Sequence, residues 1–384
     1  MRGEINVVCV EEGFRSLAKE VKKGLKGGKV LLFAREDREG EDVAAALTLE
    51  GFSVVRREVK NAFIMRRSFD REEIGFVAAA VGVGGLAETE AAKDYAAYGK
   101  VPAFLYPLDL TALSAEKEDA EFTTATQRVT VRSDTFTVVV DRALYGSGEG
   151  MRSGLGYLIA RMVEVWDGAY AELVLHHRDP APAFAALQKV FEDWIGTAER
   201  PLAERVVSAS LHLGALVREK ELPTVKSATD LAFLAARKQG GRYDEYLFPA
   251  AYVLLDLYRY YLSDLPLECA LPPDRAENAA LIEKGCGLSA SVHITSCGRY
   301  APGYTDRVRA TGEYRKDFLQ VIERIPLAEL CRAYRRAEGE RADRTLTSER
   351  LLDLLSLTGE AVSGYALVKH IKLTGLLEPL LISA

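Results

Sequence analysis

The sequence predicts two domains: an α/β domain with a parallel, doubly wound, Rossmann-like sheet and a β-hairpin, followed by an all-α domain. In the first part of the chain, short apolar runs alternate with helical patterns, which is typical of a parallel sheet covered by helices. A glycine cluster follows one of these runs, and from Gly148 onward almost all periodicity is helical. We therefore place the α/β domain at residues 1–147 and the helical domain at residues 148–384.

The α/β domain opens with strands and helices in alternation. They are predicted at Ile5–Val10, Phe14–Leu25, Lys29–Ala34, Glu41–Glu50 and Phe52–Val59. Polar residues 35–40 read as a loop after the second strand. Because ligands of such sheets lie beyond the carboxyl ends of the strands, Asp37 in this loop is a candidate binding residue.

The stretch from Ile74 to Lys93 is the centre of this domain. Its apolar run, Ile74–Val81, predicts a strand buried on both faces. A glycine cluster with Gly84 and Gly85 follows, and then good helix formers up to Lys93. Glycines let the backbone approach a phosphate, and free N–H groups at a helix start point toward it. Such turns also occur for steric reasons alone.

The next strand is predicted at Val101–Tyr106, and residues 107–111 follow its carboxyl end. Asp109 and Thr111 in this segment would share one rim of the sheet with Asp37 and the Gly84–Gly85 turn. These residues are our candidate ligand-binding set. For Asp109, a loop cap is the structural alternative.

Between Gln127 and Asp141 the pattern changes to alternation. Val129 and Val131 alternate with polar residues, residues 133–134 supply a turn, and alternate apolar residues resume at Phe136. This pattern predicts a β-hairpin.

Helical periodicity dominates the second domain. Apolar residues from Leu155 to Trp166 recur at the i, i+3, i+4 spacing of one helix face. Further helices are predicted at Ala181–Ile195, Leu202–Glu219, Ala228–Lys238, Tyr246–Leu262, Arg275–Lys284, Asp306–Ile325, Leu327–Ala337, Ser348–Thr358 and Ala361–Leu377. The helix at Tyr246–Leu262 is apolar nearly all round, which predicts the core of this domain.

Composition argues against several classes of protein. A net charge of −6 and the lack of a basic block argue against nucleic acid as the main partner. No apolar run is long enough to span a membrane, and the N-terminus leads into a strand rather than a signal peptide. The five scattered cysteines form no C-x-x-C pair. We expect a cytoplasmic protein with a small-molecule ligand, phosphorylated or not, and leave open whether it is a homo-oligomer.

Several short patterns occur in the order found in one superfamily. The run Val83–Lys93 resembles G-G-G-x-x-x-D-x-A-K, Val101–Pro107 resembles a strand motif ending in Pro-Thr, and Val138–Asp141 a strand motif ending in Asp. Most specific is Arg152–Arg161, close to r-x-x-G-x-G-D-x-x-a-K, and residues 227–230 stand where S-G-x-E-H is expected. On these motifs the chain resembles the dehydroquinate synthase, glycerol dehydrogenase and iron-containing alcohol dehydrogenase superfamily, and most nearly its sn-glycerol-1-phosphate dehydrogenases.

The resemblance implies a dehydroquinate synthase-like fold and an NAD or NADP cofactor held at Gly84, Gly85 and Lys93. Two positions depart from the superfamily, because Leu86 replaces the third glycine and Leu108 replaces a threonine. Both replaced residues contact the cofactor in the family. We therefore expect a low affinity for the cofactor.

The superfamily usually binds a divalent metal through one Asp and two His. Here Tyr157 stands at the Asp position, Asp230 at the first His, and residues 242–249 contain no histidine. A catalytic zinc needs about three protein ligands, and a phenol with a pKa near ~10 is a poor one at neutral pH. We therefore expect no bound metal. We interpret the tyrosine-rich segment Tyr243–Tyr261 as aromatic packing; the alternative is that Tyr157, Tyr243 and Tyr246 fill the space left by the metal.

Other polar residues have structural and catalytic interpretations. His293 lies in a non-helical stretch and could act as a general acid or base. For Asp230, the alternative to a catalytic role is a carboxylate on a helix surface. We interpret His176 and His177 as a solvated pair, and His212 as a histidine of the core.

Three hypotheses follow. The first is an NAD(P)-linked, metal-independent oxidoreductase acting on a small polyol or polyol phosphate in an interdomain cleft, with Tyr157 as proton donor. The second is a non-catalytic relative that senses a ligand or binds a partner. The third is a metal-independent cyclase or lyase of the dehydroquinate synthase type.

Overall fold

The computed structural model describes residues 5–10, 13–35, 37–59, 75–108, 119–123, 128–132, 136–141, 148–223, 225–241, 243–263, 303–337, 346, 348–361 and 364–383. The chain divides into two compact units, Met1–Met151 and Arg152–Ala384. Among the described residues, no helix is both long and apolar enough to cross a membrane.

The first unit alternates strands and helices, as the sequence predicts. Its strands are β1 (Ile5–Val10), β2 (Gly28–Phe33), β3 (Phe52–Arg57), β4 (Ala79–Gly84), β5 (Ala103–Pro107), β6 (Asp119–Thr123), β7 (Arg128–Arg132) and β8 (Phe136–Asp141). Its helices are α1 (Phe14–Gly24), α2 (Arg38–Leu49) and α3 (Leu86–Gly99).

Six of these strands form one parallel sheet in the order β1-β8-β5-β4-β2-β3. This confirms the predicted parallel, doubly wound sheet. The predicted pairing within residues 127–141 is wrong, because β7 pairs antiparallel with β6, and β8 lies between β1 and β5. The reason is visible in β8 itself: Val139 is as buried as Val138 and Val140, as expected of an interior parallel strand.

Helices cover both faces of the sheet. Alternate residues of β2 and β4, such as Leu32 and Val81, form one core with apolar residues of α1 and α2. On the other face α3 packs so closely that a Cβ at Gly82 would lie 2.9 Å from the Cβ of Ala92. Phe33 packs against Tyr95 of α3 on the same face, with ring centroids 6.1 Å apart.

Two boundaries near the candidate site differ from the prediction. The central strand β4 runs from Ala79 to Gly84, not from Ile74 to Val81, so the glycines at 82 and 84 belong to the strand. Helix α2 begins at Arg38 rather than Glu41, because the Asp37 carboxylate accepts a hydrogen bond from Gly40 N (3.0 Å) and caps the helix.

The second unit is built from helices in the residues described. They are α4 (Gly148–His176), α5 (Ala181–Gly196), α6 (Leu202–Glu219), α7 (Ser227–Gln239), α8 (Leu247–Ser263), α9 (Tyr304–Glu313), α10 (Arg315–Glu323), α11 (Leu327–Arg336), α12 (Ser348–Ala361), α13 (Leu367–Leu373) and α14 (Leu377–Ser383). A short 3-10 turn, Tyr243–Tyr246, precedes α8.

The core of this unit centres on Trp166 of α4, whose ring contacts Tyr170, Phe184, Tyr258 and Phe318 at centroid distances of 5.5 to 6.4 Å. Most of α8 is buried, as its apolar sequence predicts. The helix predicted at 306–325 is divided in two, and the helix predicted at 361–377 is shorter, running from Leu367 to Leu373. The helix predicted at 275–284 lies outside the described residues.

Candidate functional site

The topology of the sheet marks one edge as a candidate binding site. From β2 the chain moves through α2 to β3 on one side, and from β4 it moves through α3 to β5 on the other. β2 and β4 are neighbours, so their carboxyl ends flank the point where the winding direction reverses. In open α/β sheets, ligands bind in the crevice at such a switch point.

A crevice of about 190 Å³ lies at this position, and we call it the switch-point crevice. It is lined by the ends of β2, β4 and β5 and by the start of α2: Ala34, Arg35, Asp37, Glu39, Gly40, Val83, Gly84, Gly85 and Leu108. Pockets for drug-sized ligands span roughly 300–1,000 Å³. At about 190 Å³ the crevice is smaller than such pockets, so it could hold only part of a dinucleotide.

The side of the crevice formed by α2 is acidic. Asp37 caps this helix and lines the crevice, and Glu39 lies in its first turn. Gly40 must be glycine, because a Cβ there would lie 2.4 Å from Arg35 O. This tight turn holds the Asp37 carboxylate at the end of β2.

Close packing explains the glycines at the end of β4, on the other side of the crevice. Gly82 makes room for α3, and Gly84 has a φ of +143°, which side chains rarely adopt. A Cβ on Gly84 would lie 2.8 Å from Oε2 of Glu88. The sequence left open whether these glycines serve a ligand or only relieve crowding. Steric reasons are sufficient to explain both Gly82 and Gly84.

Glu88 lies where a bound anion would be expected. Its Oε2 accepts a hydrogen bond from Gly85 N (2.9 Å) at the start of α3. Its Oε1 lies 3.7 Å from Nε of Arg35, and its side chain is 4% exposed while that of Arg35 is 67% exposed. The protein thus supplies its own carboxylate to the helix N-terminus.

The structure brings Asp37, Gly84 and Gly85 together in the switch-point crevice. Lys93 lies elsewhere: it is fully buried, with Nζ 3.1 Å from Oε1 of Glu90 and 5.2 Å from the centre of the Phe136 ring. Asp109 and Thr111 lie outside the described residues. Leu108, which the crevice includes, makes this end of it apolar.

In the second unit, Tyr157 is buried on α4 and Asp230 is buried in the first turn of α7. The surface interpretation of Asp230 was therefore wrong. At Gly156, beside Tyr157, a Cβ would lie 3.2 Å from the Leu247 Cβ, so α4 and α8 pack closely there. Tyr246 is also buried, and its hydroxyl donates to Gly240 O (2.8 Å). His293 lies outside the described residues.

Two carboxylates of α4, Glu164 and Asp167, bind groups at the N-termini of other helices in the second unit. Asp167 accepts hydrogen bonds from Ser227 at the start of α7, from the Tyr258 hydroxyl (3.0 Å) and from Leu367 N (2.8 Å) at the start of α13. Glu164, one turn earlier, accepts from Thr229 N (3.0 Å). Burial raises the pKa of Asp167 from 3.8 to about 7, although its hydrogen bonds favour the charged form.

His370 of α13 is a second fully buried polar group. Its Nδ1 lies 3.0 Å from the Tyr365 hydroxyl, and among the described residues no atom forms a hydrogen bond with its Nε2. Burial, together with the charge of Arg307, lowers the pKa of His370 from 6.5 to about 3. The imidazole is therefore neutral at physiological pH. His212, in contrast, is exposed, so its core interpretation was wrong.

The donor chemistry of Tyr157 and Asp230 does not match that of a catalytic metal site. The sequence motifs align the Tyr157 phenol and the Asp230 carboxylate with the superfamily's metal-binding Asp and first His, an alignment that stays a prediction. In the described part of the chain, no three residues of the types His, Cys, Asp and Glu are grouped to hold an ion. Two such side chains do not make the roughly three ligands that zinc needs. That the protein binds no metal is therefore still a prediction, to be tested by elemental analysis.

Sequence reasoning missed several charged residues in and beside the crevice. Glu88 was read only as a helix former, although a glutamate three residues after Gly85 has the spacing of a capping box. Arg35 and Glu39 were read as loop residues. Asp167 and His370 carry no local signal, because their partners lie 5 to 200 residues away.

Comparisons with known structures show which fold the chain has. An alcohol dehydrogenase from an archaeal halo-thermophile of a Red Sea brine pool, solved bound to NZQ, aligns over 100% of this chain and 98% of its own, with 11% identity and a TM-score of 0.59. An iron-containing alcohol dehydrogenase from Thermococcus thioreducens aligns over 100% and 99%, with 15% identity and a TM-score of 0.57. The chain has the fold of the iron-containing alcohol dehydrogenases.

A glycerol dehydrogenase from Schizosaccharomyces pombe also aligns, over 90% of this chain and 94% of its own, with 15% identity and a TM-score of 0.50. No protein-family model and no curated protein sequence matches. The predicted two-part fold, a Rossmann-like sheet followed by helices, is therefore confirmed. At these identities the likeness is one of fold.

Proposed function

We propose that this protein is an oxidoreductase of the iron-containing alcohol dehydrogenase fold that binds NAD in the switch-point crevice. The observation that carries this proposal is the crevice itself, lined by Asp37, Gly84 and Gly85 at the carboxyl ends of β2 and β4. Dehydrogenases of the same fold support the choice of reaction class. The substrate class we propose is a small polyol or polyol phosphate.

Charge favours NAD over NADP. In dinucleotide-binding sheets, an acidic residue at the end of the strand beside the glycine turn hydrogen-bonds the ribose 2′-hydroxyl. Asp37 follows β2, which pairs with β4 and its glycines, and Glu39 adds a second carboxylate to the crevice wall. A 2′-phosphate would be repelled by both, although Arg35 offsets part of this repulsion.

Each part of the chain would have a defined role in the reaction. The cofactor would supply or accept the hydride. Asp37 would hold its adenosine ribose, and the backbone at Gly84 and Gly85 would border its phosphates. Tyr157 is the proposed proton donor to the substrate oxygen, since a phenol can donate a proton without a metal ion.

Cofactor binding is tested by titrating NADH and NADPH against the purified protein and following nicotinamide fluorescence. We expect NADH to bind more tightly than NADPH. Gly85→Asp adds a carboxylate at the start of α3 and should abolish this signal, whereas Glu41→Gln, a change on the exposed surface of α2, should not. Unchanged NADH affinity in Gly85→Asp would remove the crevice from the proposal.

Activity and metal content are tested on the same sample. We expect reduction of NAD with glycerol or glycerol 1-phosphate, and less than one equivalent of zinc or iron by elemental analysis. Turnover that disappears with a chelator and returns with metal would contradict the metal-independent reaction. Normal turnover in Tyr157→Phe would contradict its role as the proton donor.

A second candidate function is a non-catalytic, ligand-binding relative. The observation that favours it is the loss of the three metal ligands usual in the superfamily, with Tyr157 and Asp230 at two of the positions and no histidine in residues 242–249. NADH binding without turnover of any polyol, with or without added metal, would select this candidate over the oxidoreductase and over a cyclase or lyase.

A further inference from the structure

The Glu88 carboxylate accepts a hydrogen bond from the N–H of Gly85, the residue that precedes α3 and lines the switch-point crevice. A helix N-terminus attracts anions because its N–H groups are unsatisfied and its dipole is positive there. Gly85 N donates to Glu88 at 2.9 Å, so this donor is already used. The carboxylate also covers Gly84, whose missing Cβ would lie 2.8 Å from Oε2.

Phosphate and carboxylate compete for the same contacts. A ligand phosphate at the start of α3 would accept a hydrogen bond from Gly85 N and approach the Gly84 backbone, as in glycine-rich phosphate sites. Both places are taken by Glu88. If the carboxylate remained, it would lie within a few ångströms of the phosphate, and two like charges at that distance repel strongly in a partly buried site.

We propose that Glu88 is a resident competitor that a phosphate-bearing ligand must displace from the start of α3. This inference rests on the proposed nucleotide binding and adds the residue that sets its affinity and selectivity. Glu88 makes the crevice selective against the phosphate of a nucleotide while leaving recognition of its ribose to Asp37.

Arg35 gives the displaced carboxylate a place to go. Its side chain is 67% exposed, at the mouth of the crevice, and its Nε already lies 3.7 Å from Oε1 of Glu88. A change of Glu88 rotamer that breaks the bond to Gly85 N could keep the ion pair with Arg35. Displacement of Glu88 would then break its hydrogen bond from Gly85 N but would keep its ion pair with Arg35.

The test compares ligands with and without phosphate. Isothermal titration of ADP-ribose and of adenosine is done with the wild type, Glu88→Gln, Glu88→Ala and the control Glu41→Gln. Glu88→Gln keeps the shape and the capping oxygen but loses the charge, so it folds even if the alanine variant does not. Glu41→Gln makes the same change of charge on the exposed surface of α2.

We expect Glu88→Ala to bind ADP-ribose at least tenfold more tightly than the wild type, and Glu88→Gln to lie between them. Adenosine affinity should change less than twofold in all variants, because adenosine has no phosphate to compete with Glu88. Tighter ADP-ribose binding by Glu88→Ala supports the inference even if binding by the wild type is too weak to measure.

Two results would overturn it, and they differ in what else they remove. If the wild type binds ADP-ribose and the Glu88 variants bind it equally or more weakly, Glu88 is not a competitor, but the proposed function stands. If no variant binds ADP-ribose or NADH, both this inference and the proposed nucleotide binding are wrong.

Discussion

The two units use the same device, a carboxylate at the N-terminus of a helix, in different settings. In the first unit, Glu88 caps α3 beside a crevice with the exposed Arg35 at its mouth. In the second, Asp167 caps α13 and also accepts a hydrogen bond from the Ser227 hydroxyl at the start of α7; it is fully buried, and each of its oxygens accepts a hydrogen bond from the protein. A cap can be exchanged for a ligand only where a ligand can reach it.

This difference distinguishes the candidate binding site from polar groups that only stabilise the fold. The polar groups at the carboxyl ends of β2 and β4 face an open volume, so they can change partners. Those around Asp167 join α4, α7, α8 and α13 and hold the helices in place. Burial alone therefore does not identify the functional region of this fold.

The largest expected effect is on the interior cap. Asp167→Ala would leave Ser227, Tyr258 and the Leu367 N–H without their acceptor, and should lower the free energy of unfolding by about 3–5 kcal/mol. Urea unfolding measures this. Asp256→Ala, which removes a carboxylate 47% exposed on α8, should cost less than about 1 kcal/mol. Equal effects of the two substitutions would contradict the comparison.

The pH dependence of stability separates the two buried titrating groups. The pKa of Asp167 is raised from 3.8 to about 7, so the folded state holds a proton that the unfolded state has lost, and this contribution to stability disappears as pH rises through that range. The pKa of His370 is lowered from 6.5 to about 3, so its contribution is present above 6.5 and is lost as pH falls toward 3.

Between about pH 4 and 6.5 the two groups change the free energy of unfolding in opposite directions, each by up to about 1.4 kcal/mol per pH unit. Asp167→Asn and His370→Asn each remove one of these pH-dependent contributions. The stability of the wild type minus that of His370→Asn should rise with pH from 3 to 6.5. The same difference for Asp167→Asn should fall from pH 3.8 to 7. Flat differences in urea unfolding would show that neither group titrates as described.

A smaller effect is expected for cofactor choice. Asp37→Asn keeps an N-cap side chain for α2 but removes a negative charge from the crevice, so NADPH should gain on NADH by roughly tenfold in relative affinity. Fluorescence titration of both cofactors measures the ratio. An unchanged ratio would place the ribose away from Asp37. The melting temperature serves as the control for the cap.

The smallest effect on stability is expected for Arg35→Ala. The side chain is 67% exposed, and its nearest carboxylate oxygen on Glu88 is 3.7 Å away, so the free energy of unfolding should change by less than about 0.5 kcal/mol. A loss of more than about 2 kcal/mol in urea unfolding would show that Arg35 is part of the scaffold and not of the site.

The fold could be predicted from the sequence because apolar runs and helical periodicity are local signals. The alternation of strands and helices to Pro107 needed only that pattern, and so did the buried helix α8. The position of β8 could not be predicted in this way. Its residues alternate well enough for a hairpin, and its partners β1 and β5 lie far away in the chain.

The candidate site could be predicted only in part. Asp37, Gly84 and Gly85 follow strands, so their common edge was visible in the sequence. The use of Gly85 N by Glu88 depends on a side-chain conformation, and the burial of Asp230 and His370 depends on which helices cover them. Residue type and spacing do not determine either.

The most direct test of the central claim is a crystal structure of the wild-type protein saturated with ADP-ribose. The account predicts the diphosphate beside Gly84 and Gly85, the ribose at Asp37, and the Glu88 carboxylate no longer bonded to Gly85 N. A nucleotide bound elsewhere would contradict the proposed site. A diphosphate at Gly85 with Glu88 still in place would contradict the competition between them.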